Sequence, residues 1–390
     1  MSNFKSPKFK YVILLLSLIL LLISCTTLYI YIRTNSYKKT HSISSNLTTS
    51  NSIKNTKAHA KSNFIAKTGV NKLEHKALPK TTKITISAVG DCTIGTDPKF
   101  NQSTSLPAVV KRNGNSKYYL FKNVRSIFRK DNITIANLET TFTTSNNRQI
   151  KKFTFKGNPA FAASIPTASI DGVNISNNHI HDFGVQGFKD TISTLKKFKI
   201  PYFGEGNVWE TKYKNIRIAF LGYTGWSNSP SFLRKLTSDI RKYKSREDIV
   251  IVTFHWGIER TYTPNSTQRS IAHTAIDAGA TLVIGHHPHV LQSVEQYKGK
   301  YICYSLGNFC FGGNSNPPDK DTMIFQTRLT FKDKKLITNK IRVIPCSISS
   351  VSGYNNYCPT PLSGYNKKRV LSKINRLNIH MKFKLGTKFK

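Results

Sequence analysis

The segment "TLVIGHHPHVLQ" (281–292) places histidines at 286, 287 and 289, directly after a short apolar run. Imidazoles crowded in this way serve as metal ligands or proton carriers, and both tasks need oxygen donors nearby. Other short β-branched runs along the chain also end in polar, chemically capable residues. "KITISAVGD" (83–91) ends on Asp91 and "NITIANLE" (132–139) on Glu139. "DGVNISNNH" (171–179) ends on Asn178 with His179, and "DIVIVTFHWG" (248–257) carries His255 near its end. Seven of the eleven histidines lie between residues 179 and 289. One histidine at a strand end is more often simply hydrogen-bonded. Five separate strand ends bearing carboxylate, amide and imidazole form a mixed oxygen and nitrogen donor set. That set suits Mn, Fe or Zn better than a thiolate site would. Two such ions roughly 4 Å apart could share a bridging carboxylate and activate water between them.

The elements that must position these groups follow from the same pattern. The runs above, with "IRIAFLGY" (216–223), have the composition and length of strands. Helix-like stretches lie between several of them, among them "DTISTLKKFK" (190–199) and "STQRSIAHTAIDAG" (266–279). In the second, Ser266 can cap, Ile271, Ala275 and Ala278 share a face, and Gly279 can stop the helix. Strands alternating with helices indicate an α/β fold, in which functional groups gather outside the carboxyl ends of the strands.

The flanks are different. Residues 11–32, "YVILLLSLILLLISCTTLYIYI", carry no charge and as a helix would span roughly 33 Å, enough for a bilayer core. Lys5, Lys8 and Lys10 precede them and favour a cytoplasmic segment 1–10 with the remainder exported. We expect a retained transmembrane anchor; "LISC" (22–25) offers the alternative of a lipoprotein attached through Cys25. Residues 33–80 are polar and basic, which is the composition of a disordered linker. The globular domain is expected over 81–350, followed by a basic extension, 351–390. The six cysteines show no metal-finger spacing, and Cys346 and Cys358 could pair or remain buried thiols. The chain holds 59 Lys and Arg against 19 Asp and Glu, a formal net charge of +40. Such an excess points to an anionic polymer, phospholipid or nucleic acid as partner. No nucleic-acid recognition module is visible, and an exported domain would not meet nucleic acid.

Six motifs also carry a resemblance: "VGD" (89–91), "NLET" (137–140), "NISNNHIHDFGVQGF" (174–188), "HWGIE" (255–259), "IDAGATLVIGHHPHVLQSVEQYKGK" (276–300) and "YSLGNFCF" (304–311). In this order, over about 83–350, they resemble the bacterial CapA family of capsule-synthesis proteins, linked to poly-γ-glutamate production. That family is similar in fold to the calcineurin-like metallophosphoesterases. The resemblance implies a four-layer α/β/β/α sandwich around a two-metal site. Residue by residue it implies Asp91, Glu139, Asn178, His255, His287 and His289 as ligands of divalent metal, Mn, Fe or Zn. His179 falls where phosphoesterases place the residue that protonates the leaving group, and Asp182 either shapes the following turn or orients His179. The chain departs from the broader Asp-x-His pattern, since Cys92 and Thr93 follow Asp91. It also has Glu139 where the second acid is usually Asp.

Other residues are expected to serve the structure. His286 sits at the flexible position of its motif and is no expected ligand. His181 and His273 read as surface, Trp256 as packing or a wall, Glu259 as an outer acid, and Cys92 as a core filler. "SLGNF" reads as a strand and turn that bring Asn308 near the site. The expected function is a membrane-tethered, extracytoplasmic metal-dependent hydrolase in capsule, poly-γ-glutamate or cell-envelope polymer synthesis. The competing expectation is a non-catalytic assembly partner that binds the polymer or a membrane synthase.

Overall fold

The computed structural model describes residues 81–390. The expected anchor at 11–32, Cys25 and the linker at 33–80 lie outside the described residues. Among the described residues, no helix is long and apolar enough to cross a membrane.

Two sheets form the centre. In the first, Thr81–Thr93 lies between the antiparallel strand Asp321–Lys332 and the parallel strand Ile133–Leu138. Gly172–Asn174 and Tyr202–Phe203 continue the parallel order outward. On the other side, Lys335–Ser347 and Thr360–Pro361 complete the sheet, and Asn308–Phe311 pairs with the end of Thr81–Thr93. The second sheet runs Val294–Tyr297, Lys300–Cys303, Leu282–His286, Ile249–Trp256, Ile216–Gly225, Val208–Tyr213. Its four inner strands are parallel.

Alternation along the strands builds the layers, because successive side chains point to opposite faces. Ile249 and Ile251 face a cluster shared with Ile84, Ile86, Ile133 and Ile135 of the first sheet. Val250, Val252 and Phe254 face the opposite way, toward Leu236 and Ile240 of the helix Pro230–Lys244 and Ile271 of Ser266–Ala278. On the outer face of the first sheet, Val89, Leu138 and Val173 pack with Val109, Phe128 and Leu195 of short helices and of Gly184–Lys197. The layering is therefore helix, sheet, sheet, helix, with three apolar clusters between. Burial on both faces explains why these strands read as continuous apolar runs.

The structure departs from the sequence expectations at several places. The helix expected at 190–199 spans Gly184–Lys197, and the strand read over 171–179 ends at Asn174. Beyond Ile175, whose N still bonds the Phe203 carbonyl, the chain turns as the side chains of Asn174 and Asn177 bond nearby backbone. Asn265, not Ser266, caps the next helix, through a capping box with Gln268. Gly279 ends it in the left-handed conformation, as expected. Cys346 and Cys358 are both free and buried.

Residues 351–390 are no appendage. The helix Gly364–Leu377 inserts Val370 and Ile374 into the cluster between the sheets. Burying two such side chains stabilises by about 1.5–3 kcal/mol each. Arg369 and Lys373 of that helix bind Asp321 and Asp319. Beyond the helix, Lys390 exchanges backbone hydrogen bonds with Ile341, and Phe389 lies beneath Arg328 and Arg342. The composition of this segment, nine Lys and Arg with no acids, hid those sparse apolar anchors.

Candidate metal centre

The carboxyl ends of the parallel strands of both sheets bring the expected residues together. Asp91 stands opposite Asn137 on one neighbouring strand and Asn308 on the other. Gly90 makes that approach feasible, since a Cβ there would lie 1.8 Å from the carbonyl oxygen of Gly307. In the second sheet His255 stands opposite His286. His287 and His289 follow that strand with φ of 96° and 57°. A positive φ at a residue other than glycine costs about 1–3 kcal/mol and persists where the surroundings enforce it.

All six expected ligands fall in one contact network. Asp91 Oδ2 lies 3.4 Å from His289 Nδ1 and accepts from the backbone N of His287 at 3.2 Å. Glu139 Oε1 lies 3.4 Å from His255 Nε2 and 3.9 Å from His289 Nε2. Asn178 Oδ1 is 2.8 Å from His255 Nε2. Glu139, His287 and His289 each present a donor atom within 4.8 Å of the others. Trp226 closes the side, its ring edge-on to His287 at 4.8 Å and to His255 at 5.7 Å.

The electrostatics of this cluster are conflicted. Burial drives the Glu139 carboxyl well above its ordinary range, and the Asp91 charge adds to the effect. Burial also pushes Asp91 up, but the adjoining His286 and His289 imidazoles hold it well below the usual carboxylate value. Burial and the His287 ring draw His255 well down. His287 falls to about 4 through burial and the His289 charge. Burial works against protonation of His289 too, yet Glu139 and Asp91 raise it to about 9. Glu139 Oε1, His286 Nδ1 and His287 Nδ1 are buried without hydrogen-bond partners. Unpartnered polar atoms in a sealed site are costly, and a divalent cation would satisfy oxygen and neutral imidazole donors together. The residues present fit such an ion.

Beside the cluster, His179 Nδ1 lies 2.7 Å from Asp182 Oδ2. Asp182 is thus a partner of His179 as well as a turn residue. Burial lowers His179 from its ordinary value while the Asp182 contact opposes that. Lys151 Nζ reaches both Asp182 Oδ1 and the carbonyl oxygen of Asn178 at 2.6 Å.

Sequence reading overlooked several members. Asn137 donates to Asp91 Oδ1 at 2.8 Å and lies 3.2 Å from His255 Nδ1. Its position two residues before Glu139 puts both on one strand face, a signal that was available. His286, read as a bystander, is buried with Nδ1 3.5 Å from Asp91 Oδ1. Lys151 and Trp226 come from loops and left no pattern. Asn308 meets His289 Nδ1 at 2.9 Å, so "SLGNF" reaches the site itself. His273 is not plain surface: it stacks on Tyr297 at 3.8 Å and bonds Glu295 at 3.1 Å. His181 is exposed and pairs with Glu205. Trp256 is fully buried packing that donates to the carbonyl oxygen of Tyr304. Glu259 lines a cleft next to the cluster. Cys92 is a buried core residue whose thiol is pushed up to about 12, chiefly by burial.

A family model described as "Bacterial capsule synthesis protein PGA_cap" matches residues 85–313. The chain is 29% identical over 344 residues to "Capsule biosynthesis protein CapA" of Bacillus anthracis, covering 80% of this chain and 79% of that one. It is 32% identical over 251 residues to "PGA biosynthesis protein CapA" of Bacillus subtilis (strain 168), covering 59% of this chain and 65% of the relative. Among solved structures, a putative 5′-nucleotidase from Staphylococcus aureus in complex with alpha-ketoglutarate aligns with a TM-score of 0.40 and 14% identity. That alignment covers 75% of this chain and 58% of the other, and is too distant to inform the site.

Proposed function

The chain belongs to the bacterial capsule synthesis protein PGA_cap family, and from that premise we propose that it is a membrane-anchored, extracytoplasmic, metal-dependent hydrolase serving poly-γ-glutamate capsule synthesis. The observation that carries the reading is the buried, unpartnered Oε1 of Glu139, grouped with His287 and His289 at the strand ends. Asp91, Glu139, Asn178, His255, His287 and His289 are the residues to hold one or two divalent ions, Mn, Fe or Zn. Bound there, such ions supply a polarised phosphoryl or acyl centre and an activated water. With Nδ1–H directed at Asp182, His179 gives a proton from Nε2 to the departing oxygen as the imidazolium, the form that Asp182 favours and burial opposes. Asp182 receives the opposite ring nitrogen and sets which way the imidazole faces. Lys151 braces Asp182 from the far side. Residues 11–32 anchor this domain to the bilayer beside the polymer synthase.

Full-length protein from metal-supplemented cells, solubilised without chelator, should carry close to one equivalent of transition metal or more. Less than a tenth of an equivalent by elemental analysis would remove the metal site. The mature N-terminus should lie upstream of residue 11; one beginning at a modified Cys25 would make the protein a lipoprotein.

A second reading, an assembly partner without catalysis, draws support from Thr93, which stands where the Asp-x-His pattern has its histidine and whose hydroxyl donates to Glu139 Oε2 at 3.4 Å. With a net charge of +40, such a partner would hold the anionic polymer or the synthase.

A further inference from the structure

A cleft of ≈ 490 Å³ opens directly beside the centre, with His179, His289 and Asn308 in its lining. One wall is aromatic. Phe153 and Phe155 lie nearly parallel, at 6° with centroids 6.4 Å apart, and Phe100 sits 5.6 Å from Phe153. Phe155 packs on His179 itself, centroid to centroid at 4.4 Å. Phe311 extends the aromatic surface past His289, at 5.3 Å.

The rest of the lining carries paired charges. Arg369 binds Asp321 at 2.6 and 2.8 Å, and Lys373 binds Asp319 at 2.6 Å. Glu259 and Arg260 complete the lining, which therefore holds three acidic and three basic residues. In a chain with a net charge of +40, the cleft that adjoins His179 matches its Arg and Lys residues one for one with Asp and Glu. A groove that tracks a polyanion needs unpaired cations along its length. A small-molecule subsite instead pairs apolar walls with a few placed polar groups, within about 300–1,000 Å³.

The position of the aromatic wall gives the cleft its role. A general acid stands next to the leaving oxygen, so whatever is attached to that oxygen lies on the side where His179 packs. Here that side is Phe155, Phe153 and Phe100. We propose that this cleft is the leaving-group subsite of the centre, and that the substrate is an ester of an apolar alcohol rather than an internal linkage of the polyanion. The inference rests on the hydrolase reading above. In the step it serves, water oxygen bonds to the phosphoryl centre as the bond to the leaving oxygen breaks. The bonding pair stays with that oxygen, which takes the His179 proton. Ester and water become acid and apolar alcohol, and the proton lost by water restores the ring.

The test uses the full-length, metal-loaded protein with benzyl phosphate and methyl phosphate as paired substrates. Phe153→Ala and Phe100→Ala are the variants, both at half-buried positions that should leave the fold intact. Each should lower kcat/KM for benzyl phosphate about tenfold or more while changing methyl phosphate less than twofold. Calorimetric binding of benzylphosphonate, which is not hydrolysed, provides a readout independent of turnover. It should bind more tightly than methylphosphonate and weaken in both variants. If neither ester is cleaved but that binding pattern holds, the hydrolase reading fails and the apolar subsite stands. Equal losses on both esters would overturn the subsite. So would equal binding of the two phosphonates, or displacement of benzylphosphonate by poly-γ-glutamate.

Discussion

Asp182 holds His179 from one side and is itself held from two others. Its Oδ2 lies 2.7 Å from His179 Nδ1 and accepts from the backbone N of Phe155 at 2.6 Å, while Oδ1 meets Lys151 Nζ at 2.6 Å. A carboxylate so fixed receives Nδ1–H, which leaves Nε2 as the ring atom available to a substrate. His179 is thereby positioned before any substrate arrives.

Replacing the ring therefore tests catalysis separately from structure. His179→Asn should keep the melting temperature and most of the metal while losing roughly 10²–10⁴ in rate, the usual worth of a general acid. Asp182→Ala should also destabilise, because the amide of Phe155 and the Lys151 ammonium lose their acceptor, at about 1–3 kcal/mol. Capsule formed normally by cells carrying only His179→Asn, with metal bound, would leave the assembly role and remove the chemistry.

Glu139→Gln separates metal binding from folding. Burial disfavours the Glu139 charge, so the metal-free variant should be at least as stable as the wild type. Added Mn or Zn should raise the wild-type melting temperature, since a ligand that binds only the folded state stabilises it. The variant should show little or no rise. Equal rises in thermal-shift measurements would take Glu139 out of the ligand set.

Asp321 sets a pH dependence away from the metal centre. Burial pushes its carboxyl up, but Arg369 and then Lys373 hold it below the ordinary value of 3.8. A carboxyl lowered in the folded state contributes stability that is fully present above the unfolded value and is lost as pH falls through the folded one. The melting-temperature gap between wild type and Asp321→Asn should therefore be widest near pH 6 and shrink progressively below pH 4. A gap that stays constant across that range would show that these cations do not set the Asp321 contribution.

Polymer binding, if the surface charge serves it, must be salt-sensitive. Binding of poly-γ-glutamate should weaken steeply between about 10 mM and 150 mM salt, as the screening length falls from roughly 30 Å to 8 Å. No binding at the lower concentration would return those lysines to an ordinary soluble surface.

How far the site could be read in advance differs from residue to residue. Asp91, Glu139 and His255 lie in or immediately beyond apolar strands, and strand ends of parallel sheets converge by construction. Asn137 was legible in principle through its two-residue spacing from Glu139. His286 was not, because its role depends on Asp91, nearly 200 positions earlier in the chain, lying 3.5 Å away. The helix Gly364–Leu377 was missed because its anchoring residues, Val370 and Ile374, are few among lysines and arginines.

Local chemistry determined the strands, their alternating faces and the polar residues that end them, since those follow from side-chain period and turn propensity within a dozen residues. It also determined that carboxylate, amide and imidazole would meet at one edge. Only the tertiary structure decided which atoms face one another. The pairing of Asp182 with Lys151 and the packing of Phe155 on His179 join separate loops, and the isolation of Glu139 Oε1 depends on all that surrounds it. Such contacts arise from packing two sheets and their connections against each other, which fixes distances that no periodicity within a single segment encodes.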